Sequence, residues 1–372
     1  MRFPSPLTTA TIALLFCCAL RLIIGPSLFE PSGTLLAYAL EIRALRVIVA
    51  VTVGAALAAS GVLLQTLVRN DLASPDLVGA SSGASLALIT GAFVSRVLNI
   101  PVGLDSALAS RLLVATTGAI IALLIVAGLA GKRSPGKKGL ANLIPASLDP
   151  ATLILGGVMV SIIASAAIAL VDHLMQAAGQ VRAADLGGLL LGTIRDDIGW
   201  FTAAASLLLT VAVISSWAGK ARQLDAMLLD DDQASSAGVR VAMLRAMLFL
   251  SCGTLAAVAV VLAGPIAFIG LLGPHAARML LAGAARTAVA TPAALFSPGT
   301  RGTFSNPDIA RALHGKLLVL AAILGATLMV LADAAARTLN LGTGRLPTGV
   351  LTSLVGGALF IALLRRRMAR GA

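Results

Sequence analysis

The chain has 372 residues, of which 58% are hydrophobic and 12% charged, and its mean hydropathy is +0.97. No water-soluble domain of this length can bury so much apolar surface, so the composition excludes a soluble globular protein and predicts a polytopic membrane protein. The formal net charge is +12. In a membrane protein an excess of Lys and Arg is typical of topology signals in the loops, so this charge does not indicate nucleic-acid binding.

Ten apolar runs are long enough, or nearly so, to cross a bilayer. In chain order they are Thr8–Leu28, Ala44–Val68, Leu77–Leu98, Ala107–Gly131, Ala151–Val171, Gly199–Gly219, Val241–Gly264, Ile266–Ala284, Lys316–Leu339 and Pro347–Leu364. The sequence therefore predicts an all-α polytopic membrane protein with about ten transmembrane helices in one domain over residues 1–372. An even number of spans places both termini on one side, and most Lys and Arg residues fall on that side, which predicts cytoplasmic termini.

The second and third spans are rich in Gly, Ala and Ser, and the polar sequence RNDLASPD at residues 69–76 joins them. Small residues let helix backbones approach closely, so these two spans are expected to pack inside a bundle. Asn70 and Pro75 are common turn residues. The sequence therefore predicts a tight polar turn at one membrane face.

Three further connections stand out. Residues 219–244 contain an acidic cluster, Asp230, Asp231 and Asp232, which is either a docking element or an acidic solvated loop. Residues 285–315 are rich in Pro, Gly, Thr and Ser, which is typical of a flexible insertion. The stretch LLLGTI at 189–194 is too short to span the membrane, so it predicts an interfacial or half-inserted helix.

The residues give no indication of catalysis or metal binding. The chain has no P-loop, and its spans hold no nucleophile with a base and no paired carboxylates. Its Cys and His residues lack a metal-ligand spacing, so we expect no cofactor and no metal. Asp333 lies within a span, four residues before Arg337, with which it is expected to pair. A secondary transporter that couples to ions through Asp333 stays open as an alternative.

Several motifs together resemble those of the FecCD-type bacterial permeases, which import iron-siderophores, haem and vitamin B12 with an ATPase partner. They are RxxR at 43–46, Gln65, RNDLASPDLVGASSGAS at 69–85, AGPIAFIGLLGPHAAR at 263–278, LADAAAR at 331–337 and LPTGVLTSLVG at 346–356. The motifs occur in the family's order over most of the chain, so the match is specific.

The resemblance implies a type II ABC importer permease architecture: a ten-helix subunit that dimerises, as a homodimer or a heterodimer, around a pathway on the two-fold axis. It further implies a bacterial inner-membrane location, a separate cytoplasmic ATPase dimer that hydrolyses ATP, and a periplasmic or lipid-anchored substrate-binding protein. The turn sequence ASPD at 73–76 resembles the iron-siderophore members. Haem and vitamin B12 members more often have AEPG or ADPG there, and these two cargoes remain alternatives.

The resemblance also implies contacts for the two partners. Arg43, with Arg46 beside it in the same motif, and Arg337 match residues that receive acidic side chains of the binding protein. Charge pairs at such a rim orient a partner more than they hold it. The alternative for Arg43 and Arg46 is that they snorkel at a helix end and pair with Glu41.

For the ATPase, LDDDQASSAGV at 229–239 occupies the place of the family's coupling helices. It keeps Ala234 and Gly238, but Asp230 replaces the family glycine, and Asp231 and Asp232 follow. Such a helix transmits closure of the ATPase as a rigid-body push.

Two sets of residues match the family's translocation pathway. Asn70 and Leu72 correspond to the cytoplasmic gate, although the ordinary interpretation of Asn70 is that it caps a turn. The fifth and tenth helices line the route in the family. On these helices the resemblance implies as lining residues Met159, Ser161, Ser165, Thr348 and Thr352.

Overall fold

The protein is described by a computed structural model. The structure describes residues 5–23, 33–97, 108–132, 147–148, 150–179, 192–195, 198–227, 231–236, 238, 240–289, 313–339 and 346–371. Predictions for Asp230, for most of the 285–315 insertion and for the first half of the LLLGTI stretch, residues 189–191, lie outside these residues.

The described residues form twelve helices and one short β pair. The helices are α1 Pro6–Ile23, α2 Gly33–Val68, α3 Ala80–Val97, α4 Leu108–Ala130, α5 Pro150–Ala177, α6 Trp200–Gly219, α7 Ala221–Ala226, α8 Asp231–Ser236, α9 Val241–Ala263, α10 Ile269–Val289, α11 Leu313–Thr338 and α12 Thr348–Gly371. Between α4 and α5, β1 Gly131–Lys132 pairs antiparallel with β2 Ser147–Leu148, with Gly131 opposite Leu148. Ten of the helices coincide with the ten predicted apolar runs, so the expected all-α membrane fold is confirmed.

Seven of the helices in the described part of the chain are long and apolar enough to cross a membrane by length and composition alone: α1, α2, α4, α5, α6, α9 and α11. α3 and α10 fall outside this set because they carry many Gly, Ser, Thr or charged residues, and in α12 the apolar stretch Thr348–Ala362 is shorter than the others. Polar and small residues suit helices that face other helices more than lipid.

α2, α9 and α11 form the centre of the bundle, whereas α1 has few buried residues. Glycine contacts explain how closely these helices approach. A Cβ added at Gly54 of α2 would lie 2.3 Å from the carbonyl oxygen of Gly325 of α11. A Cβ added at Gly61 would lie 1.8 Å from the carbonyl oxygen of Gly270 of α10. The close packing of small residues predicted for the second span is therefore present.

The turn after α2 does not stay at the end of the bundle. A Cβ added at Gly270 would lie within about 3 Å of Pro75, of Ser74 and of the carbonyl oxygen of Leu57. Leu57 is eleven residues before the end of α2, which corresponds to about 16 Å along the helix axis. Residues 70–79 therefore fold back along α2 into the bundle, and α3 begins inside it. We call the two ends of the bundle the Arg69 end and the Arg43 end.

Candidate functional site

A buried ionic cluster lies at the Arg43 end. Asp333 of α11 is 1% exposed, and its Oδ2 accepts hydrogen bonds of 3.1 Å from both Nε and Nη2 of Arg21 of α1. Its Oδ1 accepts a 2.9 Å hydrogen bond from Nη2 of Arg46 of α2. Arg46 also donates through Nη1 to the carbonyl oxygen of Ile194, at 3.1 Å. One carboxylate thus joins α1 and α2 to α11, and Arg46 links this group to the segment at Ile194.

This cluster bears on two expectations. The expected pair of Asp333 with Arg337 is present as an ion pair of 3.9 Å, but Arg21 and Arg46 are closer partners, at 3.1 and 2.9 Å. Arg46 is 6% exposed, so it serves the interior of the bundle and does not snorkel towards Glu41. The side chain of Glu41 instead accepts a 3.0 Å hydrogen bond from Nε1 of Trp200. Sequence reasoning missed Arg21, although an arginine inside an apolar span was a visible signal.

The two other arginines matched to docking, Arg43 and Arg337, differ in exposure. Arg43 is buried, and its Nη1 donates to the carbonyl oxygen of Leu22 at 3.1 Å, which ties α2 to the end of α1. The side chain of Arg337, near the end of α11, is 23% exposed. Of the three arginines matched to docking, Arg337 is therefore the one with the most exposed side chain.

At the Arg69 end, the turn matched to the gate is held by several hydrogen bonds. Asn70 Oδ1 accepts the backbone N–H of Leu72 at 3.1 Å, which is the capping role expected of an ordinary turn. Gln65 Nε2 donates to the carbonyl oxygen of Ala73 at 3.0 Å. Arg278 of α10 donates to Gln65 Oε1 at 2.8 Å and pairs with Asp71 at 3.2 Å. The turn is therefore fixed both to its own helix and to α10.

Deeper in the bundle, Asp76 joins the same turn to the break between α9 and α10. Its carboxylate accepts a hydrogen bond from the Ser74 hydroxyl and, at 3.1 Å, another from the backbone N–H of Phe268. Phe268 has a left-handed φ of 67°, and its ring lies 6.3 Å from the ring of Phe360 in α12. Asp76 thus connects the turn with the region that packs on α12.

The loop at 219–244, which includes the coupling match at 229–239, contains α7 and α8. Gly238 has a φ of +80°, which favours glycine, and it follows α8 closely. Ala234 was expected to contact the ATPase, but it is 1% exposed and packs into this chain. Its neighbours Gln233 and Ser236 are exposed. The spacing of the matched residues in the sequence did not show which face of the short helix α8 is exposed.

The residues matched to the pathway separate into two groups. Met159 is 51% exposed on α5, and Ser161 and Ser165 line an open groove of about 310 Å³ together with Asp76. Thr348 and Thr352 of α12 are 3% and 6% exposed, so they do not line an open surface. Thr352 Oγ1 donates within its own helix to the carbonyl oxygen of Gly349, at 3.0 Å. In the single chain these two threonines therefore face the interior of the bundle, whereas the serines of α5 face the groove.

Among the residues that the structure describes, no three His, Cys, Asp or Glu side chains come together as a potential metal site. The polar groups described above instead connect helices with turns. The polar clusters at the Arg43 end and at the Arg69 end can fix the positions of the helices that they join. Between the helices, an open groove runs beside α5.

Curated proteins of similar sequence are transport permeases. The vitamin B12 import system permease of Vibrio parahaemolyticus is 30% identical over 98% of this chain and 94% of its own length. The hemin transport system permease of Yersinia pestis is 33% identical over 88% of this chain and 83% of its own. The Fe(3+) dicitrate transport system permease FecD of Escherichia coli is 30% identical over 88% and 85%.

The fold has a close counterpart among solved structures. A chain described as an inward-facing conformation of a metal-chelate type ABC transporter aligns with a TM-score of 0.68 at 23% identity, and the alignment covers 97% of this chain and 98% of that one. The FecCD transport family itself matches residues 13–298 and 305–366, which is nearly the whole sequence. This chain therefore belongs to the FecCD transport family, whose members are permease subunits of ABC importers.

Proposed function

We propose that this chain is the permease subunit of an ATP-driven importer of ferric siderophores in a bacterial inner membrane. The observation that supports this most is the match to the FecCD transport family along nearly the whole chain. ATP is hydrolysed by a separate ATPase subunit, and this chain supplies half of the pathway.

The proposed cargo is a ferric siderophore because of the turn sequence ASPD at 73–76, in which Asp76 lines the groove beside α5. Haem and vitamin B12 are the competing cargoes, since permeases for both are among the similar proteins. The test is ATP-dependent uptake into vesicles that contain the whole importer, with a ferric siderophore, haem and vitamin B12 offered separately. Uptake of the ferric siderophore alone is expected, and uptake of only haem or only vitamin B12 would contradict the cargo.

The second permease subunit, identical or paralogous, is proposed to face α5. This face carries Met159 and Ile162, which are 51% and 58% exposed in the single chain, next to the hydroxyls of Ser161 and Ser165. Asp76 also lines this groove, but the side chains that α5 itself contributes are weakly polar or apolar and uncharged, which suits a large cargo that has to pass without being trapped. We therefore restrict the proposed lining to Met159, Ser161 and Ser165.

We propose that the binding protein docks at the Arg43 end through Arg337, which is partly exposed, while the buried Arg43 at the same end contributes positive charge. Arg46 is left out of this contact because its guanidinium is engaged with Asp333. In this proposal the Arg69 end is cytoplasmic, and both termini lie on that side. Cytoplasmic loops are rich in Lys and Arg, and exposed basic residues near this end are Lys220, Arg222, Arg240 and Lys316.

We propose that the ATPase dimer docks on the segment from α7 to Gly238, with the exposed Gln233 and Ser236 at the contact.

The alternative function is that of a secondary transporter, which is driven by an ion gradient and not by ATP. Asp333 does not favour it, because its carboxylate is hydrogen-bonded to two arginines and is not poised to carry a proton. Uptake driven by an ion gradient in vesicles that lack the ATPase and nucleotide would support the secondary transporter.

A further inference from the structure

Arg69 connects the turn after α2 with the segment that contains α7. Its Nε donates a 2.8 Å hydrogen bond to the carbonyl oxygen of Met227, which is the C-cap residue of α7. The two residues are 158 positions apart in the chain, and the Arg69 side chain crosses from one helix end to the other.

The Met227 side of this contact is firmly held. The Met227 side chain is 1% exposed, and its backbone N–H donates to the carbonyl oxygens of Gln223 and Leu224 within α7. The C-terminal end of a helix carries partial negative charge, so an arginine is a favourable partner for its last carbonyls. A movement of α7 therefore displaces the atom to which Arg69 is bonded.

On its other side, Arg69 is followed directly by Asn70 and the turn described above. Arg69 itself has a left-handed φ of 52°, which is the conformation that commonly ends a helix. The backbone N–H of Asn70 donates to the carbonyl oxygen of Gln65 at 3.1 Å. The turn is thus a compact unit, and a pull on the Arg69 side chain acts on its first residue.

We infer that Arg69 is the positioning residue that transmits movement of the α7 segment to the gate turn at Asn70 and Leu72. This inference rests on the proposed function, in which the ATPase acts on the chain just beyond Met227. The competing explanation is that Arg69 is only a topology signal or a helix-ending residue. A transmitting role requires a side-chain N–H that reaches the carbonyl oxygen of Met227, whereas the competing roles require only a charge or a left-handed backbone.

The left-handed backbone allows a variant that separates these roles. Arg69→Gly removes the side chain, but glycine adopts this φ without strain, so folding is expected to be preserved or improved. Arg69→Lys keeps the charge and one flexible donor. Lys316→Ala is the matched control, because it removes an exposed cation at the same end without touching the turn.

The readout is the reactivity of a cysteine at the gate, Leu72→Cys, in a background with Cys17, Cys18 and Cys252 changed to Ala. Labelling is measured in vesicles holding the full importer, with and without ATP and vanadate. We expect Arg69→Gly to fold and to hydrolyse ATP, while the nucleotide-dependent change in labelling falls about fivefold or more, the lower range of allosteric coupling. Partial recovery is expected in Arg69→Lys, and no loss in Lys316→Ala.

An undiminished labelling change in Arg69→Gly would overturn the inference, and so would failure of that variant to fold, since Arg69 would then be a folding residue. If Lys316→Ala lost as much of the nucleotide-dependent change in labelling, the effect would be due to charge alone, and the inference would also be overturned. If labelling at Leu72 does not respond to nucleotide even with Arg69 intact, the proposed function itself fails. That result is distinguishable because it does not depend on any change at Arg69.

Discussion

At the scale of single residues, buried charge is concentrated at Asp333. Its carboxylate is 1% exposed and accepts from two guanidinium groups, Arg21 and Arg46. Removing one member of such a group leaves the others buried without compensation, which is the situation in which charged groups cost most. Asp333 is therefore a structural residue that joins α1 and α2 to α11.

We predict that Asp333→Asn lowers the free energy of unfolding by about 3–5 kcal/mol, the range found when one partner of a buried ion pair is removed. The amide keeps the shape of the side chain but cannot balance Arg21 and Arg46. The measurement is thermal unfolding of the purified protein in detergent. The matched control is Glu41→Gln at the same end, where the acid is exposed and an amide oxygen can still accept from Trp200. Equal stability of the two variants would contradict a structural role for Asp333.

At the scale of helices, the bundle depends on backbone contacts between glycines. Gly61 of α2 and Gly270 of α10 approach so closely that a Cβ at Gly61 would overlap the Gly270 carbonyl oxygen, at 1.8 Å. The obstacle is backbone and not the end of a flexible side chain. Either α2 or α10 would have to move away, and the turn at 70–79 packs against Gly270 as well.

Gly61→Ala is accordingly expected to destabilise the protein by about 1–3 kcal/mol, the range for overpacking a tight interior. Gly128→Ala in α4 is the control, because a Cβ there meets nothing within 4 Å. Glycine within a helix is less favourable than alanine, so this control should be neutral or stabilising by about 0.5–1 kcal/mol. Melting temperatures of the two variants measure the difference, and a loss of stability in Gly128→Ala alone would show that the contact at Gly61 is unimportant.

How far the sequence could predict these elements depends on the range of the contacts. The ten apolar runs identify the ten long helices, because hydrophobicity and length are local properties. Which way a helix faces is not local: next to the buried Thr348, the backbone N–H of Gly349 donates to the carbonyl oxygen of Gly192, which is 157 residues earlier in the chain. The pairing of Arg21 with Asp333 spans 312 residues, and no spacing rule reaches that far. The position of residues 70–79 inside the bundle could not be predicted either. A turn sequence indicates a change of chain direction but not how deep in the bundle the turn lies.

At the scale of the whole molecule, the single chain leaves apolar surface on several helices. Some of it faces lipid, and in the proposed dimer the α5 face lines a wet pathway. Ser165 on α5 and Ile121 on α4 are both exposed in the single chain. Exposure in the single chain therefore does not show which of the two residues faces lipid and which faces the water-filled pathway.

Cysteine labelling in the assembled importer distinguishes them. We predict that Ser165→Cys reacts with a charged, membrane-impermeant thiol reagent, because the reagent needs water around the thiol. Ile121→Cys is expected to react at least about tenfold more slowly, since a charged group in the hydrocarbon region costs several kcal/mol. Both variants are made in the background without native cysteines. Equal rates, or faster labelling at Ile121, would place the pathway elsewhere.

The long separation between Arg21 and Asp333 bears on how the protein is made. Arg21 leaves the ribosome early, and Asp333 follows 312 residues later, about 15–60 s at ordinary rates of synthesis. During that interval α1 holds a cation in the membrane without its final counter-ion. α1 is thus expected to reach its final position only after α11 has been made, and chains truncated before Asp333 should hold α1 only through weaker contacts such as the hydrogen bond from Arg43 to Leu22.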